Sequence, residues 1–164
     1  IATKKIGMKR FRYENGDLDA SDERIIAALS ENSRTSVAEI ARSLELSSPT
    51  VAERMKRLEE AGVIQSYSIA LNYAALGFPI TAWLRVRPIP GELKRVAEII
   101  NSLPQIVLCD RITGDDCFIA RAHVATHTDL EVVIDALIPF SMTNTSIVQS
   151  TPVSPRLLPL QSGR

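Results

Sequence analysis

Apolar positions recur at helical spacing between Asp19 and Gly62, whereas from Ile80 onward alternating stretches interleave with helical ones. In the first half, Asp19 is the candidate N-cap of a helix with Asp22 and Glu23 in its first turn. Ile25, Ile26 and Leu29 form its stripe, and it ends near Asn32. Ser36-Val37-Ala38-Glu39 has the form of a capping box. It opens a second helix whose face is Val37, Ile40, Ala41 and Leu44, and which breaks at Glu45-Leu46-Ser47. A third helix starts at Ser47 with Pro49 in its first turn, where the missing N–H costs nothing. Val51, Met55 and Leu58 are its inner stripe, and Gly62 stands where a left-handed C-terminal residue is wanted. Helix, short turn and helix are the grammar of a helix-turn-helix. The β-branched and aromatic run Val63 to Leu71 predicts extended structure, a wing.

Gly77 and Pro79 mark a linker over residues 72–79. Beyond it, Ile80, Ala82, Leu84 and Val86 alternate with Thr81, Trp83, Arg85 and Arg87, which predicts a half-buried strand. Pro88 to Gly91 turns the chain into a helix from Glu92 to Leu103, with Leu93, Val96, Ala97, Ile100 and Leu103 on one side. Strands are expected at Ile106 to Thr113 and Cys117 to Val124, around a two-residue hairpin turn at Gly114-Asp115. Thr128-Asp129-Leu130-Glu131 reads as another capping box, opening a helix with Leu130, Val133, Ile134, Leu137 and Ile138 inward. Pro139 stops it, and Thr145 to Ser150 is the last strand. The order βαββαβ predicts a ferredoxin-like (ACT-like) unit. The fold class is therefore α+β in two domains: a winged helix-turn-helix over 18–71 and the βαββαβ domain over 80–150, with a basic arm at 1–17 and a Pro-rich tail at 151–164.

Composition changes this picture little. At 45% hydrophobic and 23% charged the chain is an ordinary globular composition, and no apolar run is long enough for a membrane span. The start is basic without the apolar core of a signal peptide, and two cysteines are too few for a disulfide framework, so the expectation is a reduced, cytoplasmic protein. Cys109 and Cys117 fall on opposite sheet faces in the expected hairpin, which disfavours a bond between them. Nineteen basic and nineteen acidic residues cancel, so any polyanion would have to be met by a local face. The arm carries Lys4, Lys5, Lys9, Arg10 and Arg12. It is either a phosphate- or minor-groove-tracking arm or a disordered, solubilising end. His123 and His127 lie at a strand end and before a helix with no cysteine pair beside them; no metal is expected there. No nucleophile-base-orienter set and no phosphate-cradling glycine loop points to an enzyme.

Leu18-Asp19-x-x-Asp22 with Ile25 and Leu29, Asn32-Ser33-Arg34, Leu46-Ser47-x-x-Thr50-Val51, Arg54, Arg57-Leu58-Glu59, Gly62-Val63-Ile64 and Tyr67 together resemble the Lrp/AsnC (leucine-responsive/asparagine-responsive, feast/famine) transcriptional regulators. Gly114-Asp115-x-x-Phe118 resembles the glycine-aspartate hairpin of that family's ligand domain. The resemblance runs from about Leu18 to Ser150; the basic arm and Pro-rich tail depart from it. It implies a DNA-binding domain followed by a ligand-sensing and dimerisation domain, sheet-on-sheet homodimers that build into larger homo-oligomers, and an amino-acid effector at the hairpin.

Three sets of residues follow. On a helical wheel with Val51, Met55 and Leu58 inward, Pro49, Thr50, Glu53, Lys56 and Arg57 face out and Arg54 lies at the flank. With Arg34, Ser47 and Ser48 they are the candidate contacts to double-stranded DNA. A solvated charged face is the plainer account of such a helix alone, and Glu53 is equally placed to pair with Arg57 four residues on. Thr113, Gly114, Asp115 and Asp116 are the candidate effector site, and the same residues are explained as a turn. Trp83 and Ile119 share the sheet face away from the helices and are candidate dimer contacts, against the plainer reading of a lone exposed aromatic. The expected function is a sequence-specific DNA-binding regulator modulated by a small molecule. A DNA-architectural protein without an effector, and a metabolic small-molecule binder or enzyme with a helical docking module, are the alternatives.

Overall fold

A computed structural model describes residues 18–160, so the basic arm lies outside the described residues. The chain divides into two compact units. One is built from the helical half up to Ala70 together with the tail from Pro155, and the other is Leu71–Ser154.

The helical unit contains α1 (Ala20–Glu31), α2 (Val37–Leu44) and α3 (Ser48–Glu60). Each begins where a short side chain satisfies an orphan N–H of the first turn. The Asp22 N–H donates to Asp19 at 2.8 Å and the Glu39 N–H to Ser36 at 3.3 Å; both caps are reciprocated as capping boxes. Ser47 accepts from the Thr50 N–H at 3.2 Å. Glu45 adopts a left-handed φ of 58°, which ends α2 and turns the chain into α3 within three residues. Ile25, Leu29, Ile40, Ala41, Leu44, Val51 and Leu58 form the core, with Met55 only partly buried against it. Each fully buried aliphatic side chain contributes about 1.5–3 kcal/mol.

Val63 to Leu71 enters no strand ladder among the described residues. Val63 and Ile64 N–H groups turn back onto the Leu58 carbonyl, and the Tyr67 hydroxyl donates to Glu59 at 2.7 Å. Among the described residues no neighbouring strand pairs the backbone of this segment, and the side chains of Tyr67, Ile69 and Leu71 are exposed.

In the second unit β1 (Ile80–Pro88), α4 (Leu93–Ser102), β2 (Ile106–Arg111), β3 (Phe118–Val124), α5 (His127–Leu137), a 3₁₀ turn (Ile138–Phe140) and β4 (Ser141–Ile147) follow in order. The sheet is antiparallel, in the order β2-β3-β1-β4. Ala82, Leu84 and Val86 of β1 and Ala120, Ala122 and Val124 of β3 point to one face. There they meet Val96 and Ile100 of α4 and Leu130, Val133 and Leu137 of α5.

Several boundaries move: β2 ends at Arg111 rather than Thr113, β3 starts at Phe118 rather than Cys117, and β4 ends at Ile147 rather than Ser150. The cap of α5 is Thr126, not Thr128: its hydroxyl accepts from the Asp129 N–H at 3.1 Å and Asp129 accepts from the Thr126 N–H at 2.9 Å. Aspartate at the third helical position does the work expected of glutamate, and His127 becomes the first helical residue. Ile138, expected inward, is 55% exposed because the helix tightens into the 3₁₀ turn at Pro139. β4 begins at Ser141 rather than Thr145, pairing Ser141 with Pro88 and Ile147 with Ala82. Its inward positions are Ser141, Thr143 and Thr145, hydroxyl residues on an edge strand, so no apolar alternation announces it.

Residues 72–79 are a hydrogen-bonded turn, not a loose linker. Phe78 N–H bonds the Tyr73 carbonyl, and the Tyr73 ring stacks on His123 with centroids 3.8 Å apart. The described tail residues form neither helix nor strand.

Candidate nucleic-acid interface

The outward side of α3 is a shallow concavity of about 470 Å³ lined by Thr50, Glu53, Arg54, Lys56, Arg57 and Glu60. Ser47, Ser48 and Pro49 stand exposed at its N-terminus, and Arg34 is exposed in the turn before α2. Helix α3 therefore offers its dipole-positive end together with cations, which suits a phosphate. Ser47 is already committed as the cap, its hydroxyl 2.7 Å from that of Thr50.

The two arginines are held in a way the wheel did not show. Arg54 Nη1 donates to Asp19 at 2.6 Å and to Asp22 at 2.8 Å, and Arg57 Nη2 donates to Asp22 at 2.8 Å. The Asp22 side chain is 1% exposed, so α1 and α3 are joined by a carboxylate buried beneath two guanidinium groups. The hydrogen bond from the Asp22 N–H, reinforced by Arg54, holds the Asp19 carboxyl below its usual range. Partial desolvation of its hydroxyl against the helix pushes the phenol of the otherwise exposed Tyr67 up to about 12, and its bond to Glu59 adds to that. The Glu53–Arg57 pair considered from spacing is replaced by Arg57–Asp22, and the i,i+4 pair that forms on this face is Lys56–Glu60 at 3.7 Å. Arg54 is the more confined arginine, while Arg57 has 49% of its side chain exposed and faces the concavity.

At the hairpin the two-residue turn expected at Gly114-Asp115 is instead a four-residue loop: the ladder ends at Arg111 and Phe118, and the Ile112 N–H bonds the Cys117 carbonyl at 2.9 Å, leaving Thr113 to Asp116 as the loop, with Gly114 at φ +108°. No side chain but glycine takes that conformation without strain. Asp115 is 91% exposed and Asp116 26%. Both face arginines of β1 that stand outside the candidate effector set: Arg87 lies 3.3 Å from Asp115, and Arg85 and Arg87 each 3.9 Å from Asp116. Their signal was the strand alternation, which puts Arg85 and Arg87 on the face of Trp83.

That open face carries Trp83 opposite Arg121 and Arg85 opposite Ile119. The Arg121 guanidinium stands 5.8 Å over the indole, and its Nε is buried without an acceptor among the described residues. Cys109 and Cys117 are both free thiols, Cys109 raised by burial and by Asp110. Among the described residues no group of three metal-ligating side chains occurs and no helix is long and apolar enough to cross a membrane.

Residues 18–65 match the model of the winged helix-turn-helix DNA-binding family, and residues 81–158 that of the Lrp/AsnC ligand binding domain. The HTH-type transcriptional regulator LrpC of Bacillus subtilis is 31% identical over 133 residues, 81% of this chain and 92% of its own length. The LrpC structure superposes with a TM-score of 0.80, 84% of this chain covered and 99% of that one. The feast or famine regulatory protein Rv3291c of Mycobacterium tuberculosis, complexed with L-methionine, has a TM-score of 0.79 at 25% identity, with coverage of 86% and 98%.

Proposed function

The chain belongs to the Lrp/AsnC family of transcriptional regulators, and on that premise we propose that it binds specific DNA sequences as a homodimer and is modulated by an amino acid. The observation that carries the DNA reading is the capped helix α3, its outward face bearing Thr50, Glu53, Lys56 and Arg57 while its inner side is tied to α1 through Asp22. A recognition helix must be held rigidly to present side chains to base edges, and this clasp does so. Lys56 and Arg57 reach phosphate or guanine, Thr50 and Glu53 reach base edges, and Arg54 acts chiefly inside the clasp. Arg34, Ser48 and Pro49 lie against the backbone of the duplex.

Dimerisation proceeds through the open sheet face around Trp83 and Ile119. Supporting it are the half-buried indole and the Arg121 Nε that lacks an acceptor within one chain. A two-fold dimer sets two α3 helices about 34 Å apart, one turn of DNA. Further association of dimers is the family expectation for the hairpin.

The effector reading rests on opposite charges side by side: Asp115 and Asp116 suit an α-ammonium group, Arg85 and Arg87 an α-carboxylate. A relative with bound L-methionine supports an amino acid as the ligand class. Such a ligand shifts DNA binding only by preferring one assembly over another.

The test is fluorescence anisotropy of the full chain on the duplex upstream of its own gene and on a scrambled duplex, at two salt concentrations, with and without pooled amino acids. Tighter binding to the native duplex that falls with salt is expected. Equal binding to both duplexes removes sequence specificity, and indifference to every amino acid leaves an architectural protein. No binding at low salt overturns the reading.

A further inference from the structure

A cavity lies at the opposite end of the β2–β3 ladder from the Thr113–Asp116 loop. Ile106 pairs with Ala122 at that end and Arg111 with Phe118 at the hairpin end, a separation of about 17 Å along the strand. The cavity has about 220 Å³ and is walled by Tyr73, Phe78, Pro104, Gln105, Val107 and His123. This is smaller than the roughly 300–1,000 Å³ of a drug-sized site and suits a single ring system.

Three independent features converge on it. The β2–β3 register shifts between Ile106 and Leu108, so Val107 is the unpaired residue of a bulge and is turned into the cavity wall. Bulges re-aim side chains beside binding sites more often than elsewhere. Gln105 Oε1 is buried with no donor among the described residues, an acceptor left without its partner. His123 is 6% exposed. One face of its ring is covered by Tyr73 and its Nδ1 lies 3.0 Å from the Thr81 hydroxyl, which leaves Nε2 as its remaining polar edge. Burial, with Arg121 beside it, lowers the imidazole pKa and so favours the neutral ring. No residue of the wall carries a charge.

We propose that this cavity binds a small, uncharged, planar heteroaromatic metabolite that donates one N–H to Gln105 Oε1 and packs its ring against Tyr73, Phe78 and His123. The absence of charged groups in the wall separates it from the zwitterion-matching hairpin, so the two sites take different ligand classes. Because Tyr73 and Phe78 belong to the turn that leads into the sheet, occupancy fastens that turn to β3.

The test is an NMR titration of the full chain with indole, with 1-methylindole as the same shape lacking the donor. Indole is expected to shift the amides of Gln105, Val107 and His123, and 1-methylindole to bind about 2- to 10-fold more weakly, the equivalent of one hydrogen bond. Val107→Trp, at an exposed position where folding is not at stake, fills the cavity and abolishes the shifts. Unmoved amides up to the solubility of indole overturn the proposal, as does binding unchanged in Val107→Trp or equal affinity for the two probes. If those amides respond to protein dilution instead, a second copy covers the cavity and the proposal fails. None of these readouts involves DNA, so failure of the regulator reading is scored separately.

Discussion

Replacing Asp22 by asparagine removes the charge at the centre of the clasp while preserving size. The wild-type carboxylate accepts from Arg54 and Arg57, each at 2.8 Å, and more weakly from the Asp19 N–H at 3.4 Å. A hydrogen bond to a charged partner contributes about 1.5–3 kcal/mol when desolvated. Here the arginine side chains keep 25% and 49% of their exposure, so water recovers much of each loss, towards the 0.2–1 kcal/mol of roughly solvated pairs. The asparagine NH₂ in addition faces a guanidinium donor. The net expectation is about 2 kcal/mol of destabilisation, of which about 0.3–1 kcal/mol comes from the lost first-turn charge. For a unit of this size that is a fall of about 8–16 °C in midpoint. Glu23→Gln removes a first-turn charge without touching the clasp and is the control. The chain has one tryptophan, Trp83, which lies in β1, so thermal unfolding followed by tryptophan fluorescence reports the sheet unit. Far-UV circular dichroism reports the helices of both units, α4 and α5 as well as α1 to α3. The part of the dichroism transition not shared with the fluorescence is expected to move and the fluorescence transition to hold. A double-mutant cycle with Arg57→Ala should give a coupling of about 1 kcal/mol. An unmoved helical transition, or a coupling below about 0.3 kcal/mol, refutes the clasp.

Four further outcomes are expected. Lys56→Ala and Arg57→Ala should weaken DNA binding with the dimer intact. Lys56→Ala, whose only ion pair among the described residues is the exposed one to Glu60, should lower the salt slope by about 1. Trp83→Asp should yield monomer by light scattering, because a carboxylate replaces the apolar centre of the open face; a persisting dimer would move the interface elsewhere. Asp115→Ala should remove the amino-acid response without unfolding, since Asp115 is almost fully exposed, and a retained response would relocate the effector. Acid should weaken the two units in sequence. The neutral His123 ring, depressed below 6.5 by burial and Arg121, contributes stability that is full above pH 6.5 and lost as pH falls through its lower folded value. Asp19 and Glu39, held below 3.8 and 4.5 by hydrogen bonds from the Asp22 N–H and from Ser36, contribute stability above those values that is lost only further down. Tryptophan fluorescence should therefore change, together with the α4 and α5 part of the dichroism, before the remaining helical signal of α1 to α3, and the reverse order would refute the assignment.

The caps at Asp19, Ser36 and Ser47 and the apolar stripes of α1 to α4 were legible in the sequence, because a cap closes over three residues and a stripe repeats within a turn. So were the β1 alternation and the glycine turn, both properties of a few neighbouring residues. Even a local signal was ambiguous where two threonines competed: Thr126 and Thr128 both precede a candidate acid, and packing of Leu130, Val133 and Leu137 on the sheet set the phase. β4 was expected from Thr145 to Ser150 and its start at Ser141 was missed, because its register is imposed by β1 across a long crossover, not by its own hydroxyl-rich pattern. Only the tertiary structure joined Asp22 to Arg54 and Arg57, set Arg85 and Arg87 against Asp115 and Asp116, and stacked Tyr73 on His123. Those partners are far apart in the chain, and what brings them together is the burial of two separate cores. The sequence thus determined which elements form and which faces they bury; the packing of those faces decided which charges meet and which polar atoms are left without a partner.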